Sequence, residues 1–349
     1  MENQENQNNQ TYANIDGIRG KCYERALSLY GSQLLLCVSK RLEKELEYIA
    51  TTWDESWFPQ IPDIHENLSI SAFQPFGWGD VSSSLVAHLL GFTYIDPLPA
   101  HYHCNHCNET IFGDNMSYYT CFDLPDSKCP KCNQIMEKQG FDLLVENCFG
   151  LYGNKVPVIR YDVSDCITAD RLLKLSSLTG ITPDRIPIED SETMQLLAYG
   201  DTTGIPEFDS TLMVRILKAI RPARFSDLIR AYGVFCGSNK NATALCTGKI
   251  PFEQIISCRE DVYSKLRSKG MEHEMAIMIM ELIRKGKGLN HDQIKAVHLL
   301  GLPEWWEQAV VDIEYLPSKA YVASHVIANY YLAWFKAHYD NCFFEINEK

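Results

Sequence analysis

The sequence predicts an α+β protein in which a small α/β region with a four-cysteine ribbon precedes a mostly α-helical region. Three observations indicate this class. The first is two Cys-x-x-Cys pairs, formed by Cys104, Cys107, Cys129 and Cys132. The second is alternation of apolar residues between Phe141 and Val163, which is typical of strands. The third is a series of short segments with helical spacing, separated by glycine and proline, from about Ile167 to the end.

Length and charge limit the classes of protein that fit. A chain of 349 residues can form two or three domains with a substantial core. No apolar run could span a bilayer and the N-terminus lacks a signal pattern, so we expect a soluble, cytoplasmic protein without a membrane partner. The net charge of −13 argues against coating DNA through bulk electrostatics. Any contact with nucleic acid must therefore come from local basic patches.

The N-terminal hundred residues are predicted to be partly helical. Residues 1–12 are rich in Asn, Gln and Glu and predict a disordered tail. In the following region, residues 13–100, helical spacing predicts one helix over residues 21–30, which ends at Gly31. A second helix over residues 38–49 places Val38, Leu42, Leu46 and Ile49 on one face.

A segment rich in glycine and serine, residues 76–87, precedes an apolar helix. Backbone N–H groups and the hydroxyls of Ser83 and Ser84 at a helix N-terminus can hold a phosphate. The same pattern is typical of an ordinary capped helix. Taken alone, it favours the capped helix over a phosphate site.

The two cysteine pairs predict a metal ribbon over residues 101–139. Four thiolates can occupy the corners of a tetrahedron around Zn²⁺, and a closed set of four sulfur ligands makes that zinc structural. Asn108 and Asn133 follow the second cysteine of each pair and suit the tight turns that such a site needs. The odd total of 13 cysteines also fits reduced thiols better than a disulfide framework. Substitute ligands remain open as alternatives, namely His103, His106 and Cys121.

Beyond the ribbon, residues 140–166 are predicted to form strands, over residues 143–145 and 156–163, and residues 167–349 a helical domain. The helical domain contains the sequence Arg284-Lys-Gly-Lys-Gly-Leu289. Its three cations, Arg284, Lys285 and Lys287, lie on a backbone with two glycines and could contact phosphate. A cationic helix C-terminus with glycine caps explains the pattern equally well.

Taken together and in this order, the segments resemble the PolC-type replicative DNA polymerase, the α subunit of DNA polymerase III in low-GC Gram-positive bacteria. The resemblance covers nearly all of residues 23–344. It implies that residues 13–100 and 140–166 are remnants of a palm, and that residues 167–349 are fingers-like. The motifs that carry it include Tyr23-Glu-Arg-Ala26, Asp96-Pro-Leu-Pro99 with the cysteine pairs, Asn154-Lys-Val-Pro157, Gly204-Ile-Pro-Glu-Phe208, Arg284-Lys-Gly-Lys-Gly-Leu289 and Lys336-Ala-His338.

The resemblance breaks down where the chemistry would occur. Such a polymerase needs carboxylates for two Mg²⁺ ions, and the family supplies two of them as Asp-x-Asp directly after Lys-Val-Pro. Here Lys155-Val-Pro157 is followed by Val158-Ile-Arg160. The chain then skips a long part of the palm, and Asp162 matches the third carboxylate. Because one acid cannot assemble a two-metal site, Asp162 is vestigial and Mg²⁺ is not expected.

The predicted nucleotide pocket departs from the family as well. Trp78 replaces an arginine and Asp80 a serine in the phosphate cradle, and Asp80 would repel a triphosphate. Cys236 and Tyr321 each stand where the family has histidine. The residues that the resemblance still implies for binding DNA or nucleotide are Ser83, Ser84, Arg284, Lys285, Lys287 and Lys319.

These observations favour a truncated, catalytically degenerate PolC relative, a non-enzymatic pseudoenzyme that binds DNA, nucleotide or replisome proteins. The first alternative is an enzyme, a split DNA-directed DNA polymerase whose missing palm segment comes from another chain. A second is a decoy that sequesters nucleotides or nucleotide-like inhibitors. A decaying remnant without a role is a further alternative, against which the retained cysteines and helical patterning argue.

Overall fold

A computed structural model describes residues 2–31, 33–52, 79–93, 95–113, 118–155 and 163–347. The chain divides into two compact units, Met1–Asp162 and Val163–Lys349. Among the described residues, no helix has both the length and the apolar character that crossing a membrane requires. The α+β class is confirmed, because one small sheet lies in the first unit and helices make up the second.

The first unit contains four α-helices and three strands within its described part. The helices are α1 (Glu2–Tyr30), α2 (Leu36–Thr52), α3 (Leu85–Leu89) and α4 (Val145–Phe149), and a 3₁₀ turn (Gly79–Ser83) precedes α3. The helix predicted to end at Gly31 ends at Tyr30, and the predicted apolar face of α2 is buried, with Val38, Leu42 and Leu46 fully inaccessible. These residues pack with α1, α3 and α4 in one core.

Two expectations for this unit differ from the structure. The segment predicted as a disordered tail lies within α1, which begins at Glu2; Glu and Gln are good helix formers and extend the helix that residues 15–30 anchor. The strand predicted over residues 143–145 is absent. Asp142 has a positive φ of 50°, which interrupts an extended chain, and Val145 begins α4. Residues 156–162 of the second predicted strand lie outside the described residues, and Val163 begins a helix.

The ribbon is a three-stranded antiparallel sheet of order β2-β1-β3, within the predicted residues 101–139. Its strands are β1 (His101–Cys104), β2 (Glu109–Phe112) and β3 (Glu137–Gln139). His101 pairs with Phe112 on one side and with Gln139 on the other. Gly140 then allows the chain to pass Pro99, since a Cβ at this position would lie 2.4 Å from the Pro99 carbonyl oxygen.

The second unit consists of α-helices with two short 3₁₀ turns within its described residues. The helices are α5 (Val163–Thr179), α6 (Ser191–Tyr199), α7 (Thr211–Ile220), α8 (Phe225–Cys236), α9 (Asn239–Cys246), α10 (Arg259–Ser268), α11 (His273–Arg284), α12 (His291–His298), α13 (Glu304–Val311), α14 (Lys319–His338) and α15 (Asp340–Asn347). The longest of them, α14, is buried along most of its length and packs against α5, α6 and α8. This central helix organises the core of the second unit.

Candidate functional site

The four predicted ligand cysteines form one compact cluster. The Sγ atom of Cys107 lies 3.5 Å from Cys104, 3.2 Å from Cys129 and 3.8 Å from Cys132. All four ligand atoms lie within 4.8 Å of one another. Four sulfurs at the usual zinc–sulfur distance of about 2.3 Å in a tetrahedron are about 3.8 Å apart. The cluster therefore has the composition and size of a four-cysteine zinc site.

Two tight turns bring the cysteines of each pair together. Asn108 and Asn133 have positive φ values of 54° and 61°, a conformation that asparagine tolerates better than most residues. Their N–H groups donate to the carbonyl oxygens of Cys104 and Cys129, each at 2.8 Å. The expectation that these asparagines form the turns of the site is borne out by this backbone geometry.

The backbone around the first cysteine of each pair favours the thiolate that a metal requires. The N–H of Cys107 donates to the sulfur of Cys104 and, with further thiol donors, lowers the pKa of Cys104 to about 6. Desolvation opposes the same change at Cys129, but N–H groups of Cys132 and Lys131 lower its pKa. The Cys107 thiol donates to Cys129, which raises the pKa of Cys107. Divalent zinc would replace the protons that these sulfurs share.

The substitute ligands lie outside the cluster. His103 makes its hydrogen bond through Nδ1 to Thr110 Oγ1 at 2.9 Å. Cys121 is buried away from the four sulfurs, and burial raises the pKa of its thiol. Within the described part of the chain, the only His, Cys, Asp or Glu group that could hold a metal ion consists of the four cysteines.

A carboxylate from α2 occupies the N-terminus of α3. Glu45 is fully buried and accepts hydrogen bonds from the N–H groups of Leu85 and Val86, each at 3.0 Å. It also accepts from Ser84 Oγ at 2.7 Å and from Arg41 Nε at 2.5 Å. The backbone donors that would cradle a phosphate are thus already satisfied by a negative charge of the protein itself.

Both predicted cradle serines are buried at this helix terminus. Ser84 caps α3, where its Oγ accepts from Ala87 N–H while donating to Glu45. Ser83 Oγ has no hydrogen-bond partner among the described residues, and the Ser83 carbonyl accepts from Arg41 at 2.7 Å. Glu45 is not among the predicted site residues; its signals in the sequence are its i,i+4 spacing from Arg41 and its place in Arg41-Leu-Glu-Lys-Glu-Leu46, a motif that resembles the PolC palm. Trp78 and the side chain of Asp80 lie outside the described residues.

The predicted cationic segment forms the C-terminus of α11. Gly286 adopts the left-handed conformation, with φ 61°, and Lys287 N–H donates to Leu282 O at 3.0 Å, which closes the helix end. Gly286 is required here, because a Cβ would lie 2.5 Å from the Glu314 carbonyl oxygen. The structural interpretation, a cationic helix end with a glycine cap, therefore describes the backbone of this segment.

Acidic residues form ion pairs with some of these cations. Glu281 accepts from Arg284 Nε at 2.6 Å and pairs with Lys285 at 3.0 Å. It also pairs with the buried Arg259 at 3.3 Å, and Glu260 beside Arg259 accepts from the N–H of Lys319. Lys319 itself is 5% exposed at the start of α14. Lys287 is not part of this network; it is exposed and has no side-chain partner among the described residues.

We expect Glu281→Gln to reduce the pH dependence of stability in acid. Burial opposes ionisation of this carboxyl, but Arg284, Arg259 and Lys285 together lower the pKa of Glu281 from 4.5 to about 2. Its ionised form therefore stabilises the fold above about pH 4.5, and this contribution is lost as pH falls towards 2. In urea titrations, the stability difference between wild type and variant should shrink over that window. Glu253→Gln, which removes an exposed carboxylate, is the control. If both variants changed the pH dependence of stability equally, the low pKa assigned to Glu281 would be contradicted.

Comparison with known proteins identifies relatives of the chain. A family model described as the bacterial DNA polymerase III alpha subunit finger domain matches residues 168–301. The "DNA polymerase III PolC-type" of Thermotoga petrophila is 25% identical over 461 residues, covering 92% of this chain and 34% of the relative. The protein of the same description from Staphylococcus saprophyticus is 27% identical over 466 residues, with 92% and 32% coverage.

The chain spans about a third of the length of these relatives. Since 92% of a 349-residue chain is far fewer than 461 residues, more than a hundred aligned positions of the Thermotoga protein have no counterpart here. The family model falls on the helical second unit, and the aligned region also takes in most of the rest of the chain. The chain is therefore a relative of the PolC-type DNA polymerase III α subunits, with a finger-domain match in its helical unit.

Proposed function

We propose that this PolC relative is catalytically degenerate and acts without nucleotidyl transfer, by binding DNA at replication sites. The observation that carries the proposal is the sequence Val158-Ile-Arg160 after Lys155-Val-Pro157, where the resemblance implies Asp-x-Asp. Valine offers no ligand to Mg²⁺, and a guanidinium repels it. Asp162, like Val158 and Arg160, lies outside the described residues; as a single carboxylate it would not hold two metal ions.

The N-terminus of α3 bears on nucleotide binding at this position and not on catalysis, because Glu45 lies in Arg41-Leu-Glu-Lys-Glu-Leu46, a motif that itself resembles the PolC palm. Glu45 accepts from two N–H groups of this terminus and from Ser84, so the donors of the predicted phosphate cradle are already satisfied. A triphosphate at this terminus would have to displace a buried carboxylate that is also paired with Arg41. We therefore leave Ser83 and Ser84 out of the proposed binding surface, and we rank a nucleotide-sequestering decoy below DNA binding.

The exposed cations at the end of α11 are the proposed DNA contacts. The side chain of Lys285 is 45% exposed although it pairs with Glu281, and Lys287 is exposed as well. Arg284 is more covered, with 17% side-chain exposure, and Lys319 is buried. We assign phosphate contacts to Lys285 and Lys287, with Arg284 orienting Glu281 and Lys319 belonging to the core. Against a net charge of −13, such a patch gives weak, salt-sensitive binding.

Primer extension tests the proposed loss of catalysis. With Mg²⁺ or Mn²⁺, the purified chain should not extend a primer on its template, and Asp162→Asn should behave like wild type because no metal-assisted step is present to lose. Template-dependent incorporation that Asp162→Asn abolishes would overturn the proposal. Incorporation that appears only after addition of a second polypeptide carrying an Asp-x-Asp palm segment would instead establish the split-polymerase alternative.

Fluorescence anisotropy with labelled primer–template tests the proposed DNA contacts in the same preparation. The double variant Lys285→Glu/Lys287→Glu should bind more weakly, and the slope of log affinity against log salt should fall in magnitude by about 1.8, since each phosphate contact contributes about 0.9. The matched control is Lys249→Glu/Lys269→Glu, two charge reversals at other exposed lysines of the helical unit. Equal effects of the double variant and the control would remove Lys285 and Lys287 from the proposed surface.

A further inference from the structure

An apolar groove of about 340 Å³ lies beside the cationic segment, within the second unit. It is bounded by the end of α11, by α12 and by α13. Eight of its lining residues are apolar, namely Ile283, Leu289, Ile294, Val297, Trp306, Val310, Val311 and Ile313. This volume falls within the range of about 300–1,000 Å³ that is usual for small-molecule sites.

The walls of the groove follow from how α12 and α13 pack. On α12, Val297 is buried, whereas Ile294 is 55% exposed and lines the groove. On α13, Trp306 is buried at the base while Val311 is 77% exposed. Apolar side chains therefore line the groove and remain in contact with solvent, an arrangement that burial by an apolar ligand would stabilise.

One wall carries unsatisfied hydrogen-bond donors. The turn after Gly286 places Lys287, Gly288 and Leu289 along the groove. The N–H groups of Gly288 and Leu289 have no acceptor among the described residues, and the Lys287 ammonium has no partner among them either. The other charged lining residue, Glu307, is 3.4 Å from His298 Nδ1. An ammonium beside two free backbone N–H groups is a local environment that favours a carboxylate.

We propose that this groove binds an apolar carboxylate, with the hydrocarbon part against Ile294, Trp306 and Val310 and the carboxylate at Lys287, Gly288 and Leu289. The ligand class is a monocarboxylic acid with a chain of several carbons, either free or as the C-terminal residue of a peptide. A cationic amphiphile would place like charges together at Lys287, and a neutral one would offer these donors no charged acceptor. The proposal does not rest on DNA binding, but Lys287 is assigned to both surfaces.

Methyl NMR of the full chain, labelled at isoleucine, gives a direct readout, because Ile283, Ile294 and Ile313 line the groove and isoleucines elsewhere serve as internal references. Titration with octanoate should shift these three methyl signals together. Octanol and octylammonium should bind about tenfold or more weakly, since neither offers a carboxylate that accepts charge-assisted hydrogen bonds. Equal binding of all three, or shifts at isoleucines away from the groove, would overturn the proposal.

Two variants separate the groove from the DNA surface. Lys287→Glu should weaken octanoate binding and strengthen octylammonium binding. Gly288 lines the groove, so Gly288→Leu should block it while keeping Lys287. The backbone should tolerate the leucine, because a Cβ at Gly288 meets no atom within 4 Å and its φ is not positive. The Gly288→Leu variant should therefore lose octanoate binding and keep its affinity for primer–template. Leu299→Glu, at an exposed position outside the groove, is the control. Unchanged octanoate binding in both groove variants would contradict the assignment.

A peptide pair distinguishes the two sources of the carboxylate. An acetylated tetrapeptide that ends in leucine should be titrated as the free acid and as the C-terminal amide. Tighter binding of the peptide acid than of octanoate, with no binding of the amide, would assign the groove to a protein C-terminus. Octanoate binding without peptide binding would assign it to a free acid, and binding of neither ligand would overturn the proposal.

Discussion

Replacing Cys104 by serine is expected to abolish stoichiometric zinc binding and to unfold the ribbon. The ribbon has strands of only three or four residues, and its core is small, with Cys104, Cys129 and Met136 as its buried members. A sheet of this size has little independent stability. Structural zinc contributes about 10–16 kcal/mol of apparent binding energy in small metal domains at neutral pH, so loss of one thiolate removes the largest stabilising term.

Two measurements check this expectation on purified protein. Chelator-release assays should find one zinc ion per wild-type chain and less than a tenth of that in Cys104→Ser. Hydrogen exchange of peptides covering residues 101–113 and 128–139 should accelerate to near the unprotected rate in the variant and after chelation of the wild type. Cys37→Ser, at an exposed thiol outside the cluster, is the control and should change neither. Zinc content that survives in Cys104→Ser, with protection intact, would contradict a four-cysteine site.

The cysteine cluster could be predicted from the sequence because its information is local. Each Cys-x-x-Cys pair fixes two ligands within one tight turn, and the asparagine that follows permits the positive φ that the turn needs. The apolar face of α2 was predictable for a similar reason, since helical periodicity is a property of neighbouring residues. In both cases, the turn or the helix face is determined by local sequence, and folding only brings these local elements together.

Features that depend on distant residues could not be predicted in this way. Glu45 accepts from the N–H of Leu85, which lies 40 positions later in the sequence. No pattern near Ser84 predicts this contact. Likewise, Glu281 pairs with Arg284 and Lys285 at the end of α11 and also with Arg259, which lies on α10. The charge of the cations is therefore partly neutralised. The groove beside α12 depends on three helices that leave Ile294 uncovered. The candidate residues can be located from the sequence, but the partners that decide which of them remain available cannot.

Glu45→Ala is expected to destabilise the first unit by about 3–5 kcal/mol, the usual effect of removing one partner of a buried ion pair. The carboxylate pairs with Arg41, whose side chain is only 15% exposed, and it satisfies the N–H groups of Leu85 and Val86. Truncation leaves these donors buried without an acceptor. Arg41 keeps its bonds to the carbonyl oxygens of Leu143 and Ser83, so the arginine itself should stay in place.

Hydrogen exchange of peptides covering residues 79–93 measures this effect where it arises, because opening of α3 exposes the N–H groups that Glu45 binds. Exchange there should accelerate by at least a hundredfold in Glu45→Ala, since a factor of ten corresponds to about 1.4 kcal/mol. Glu45→Gln retains an acceptor without the charge and should show a smaller acceleration. Glu47→Ala, an exposed substitution on the same helix, should show none. If Glu45→Ala and Glu47→Ala were alike, the terminus of α3 would not depend on the carboxylate, and the argument against a phosphate at this position would fail with it.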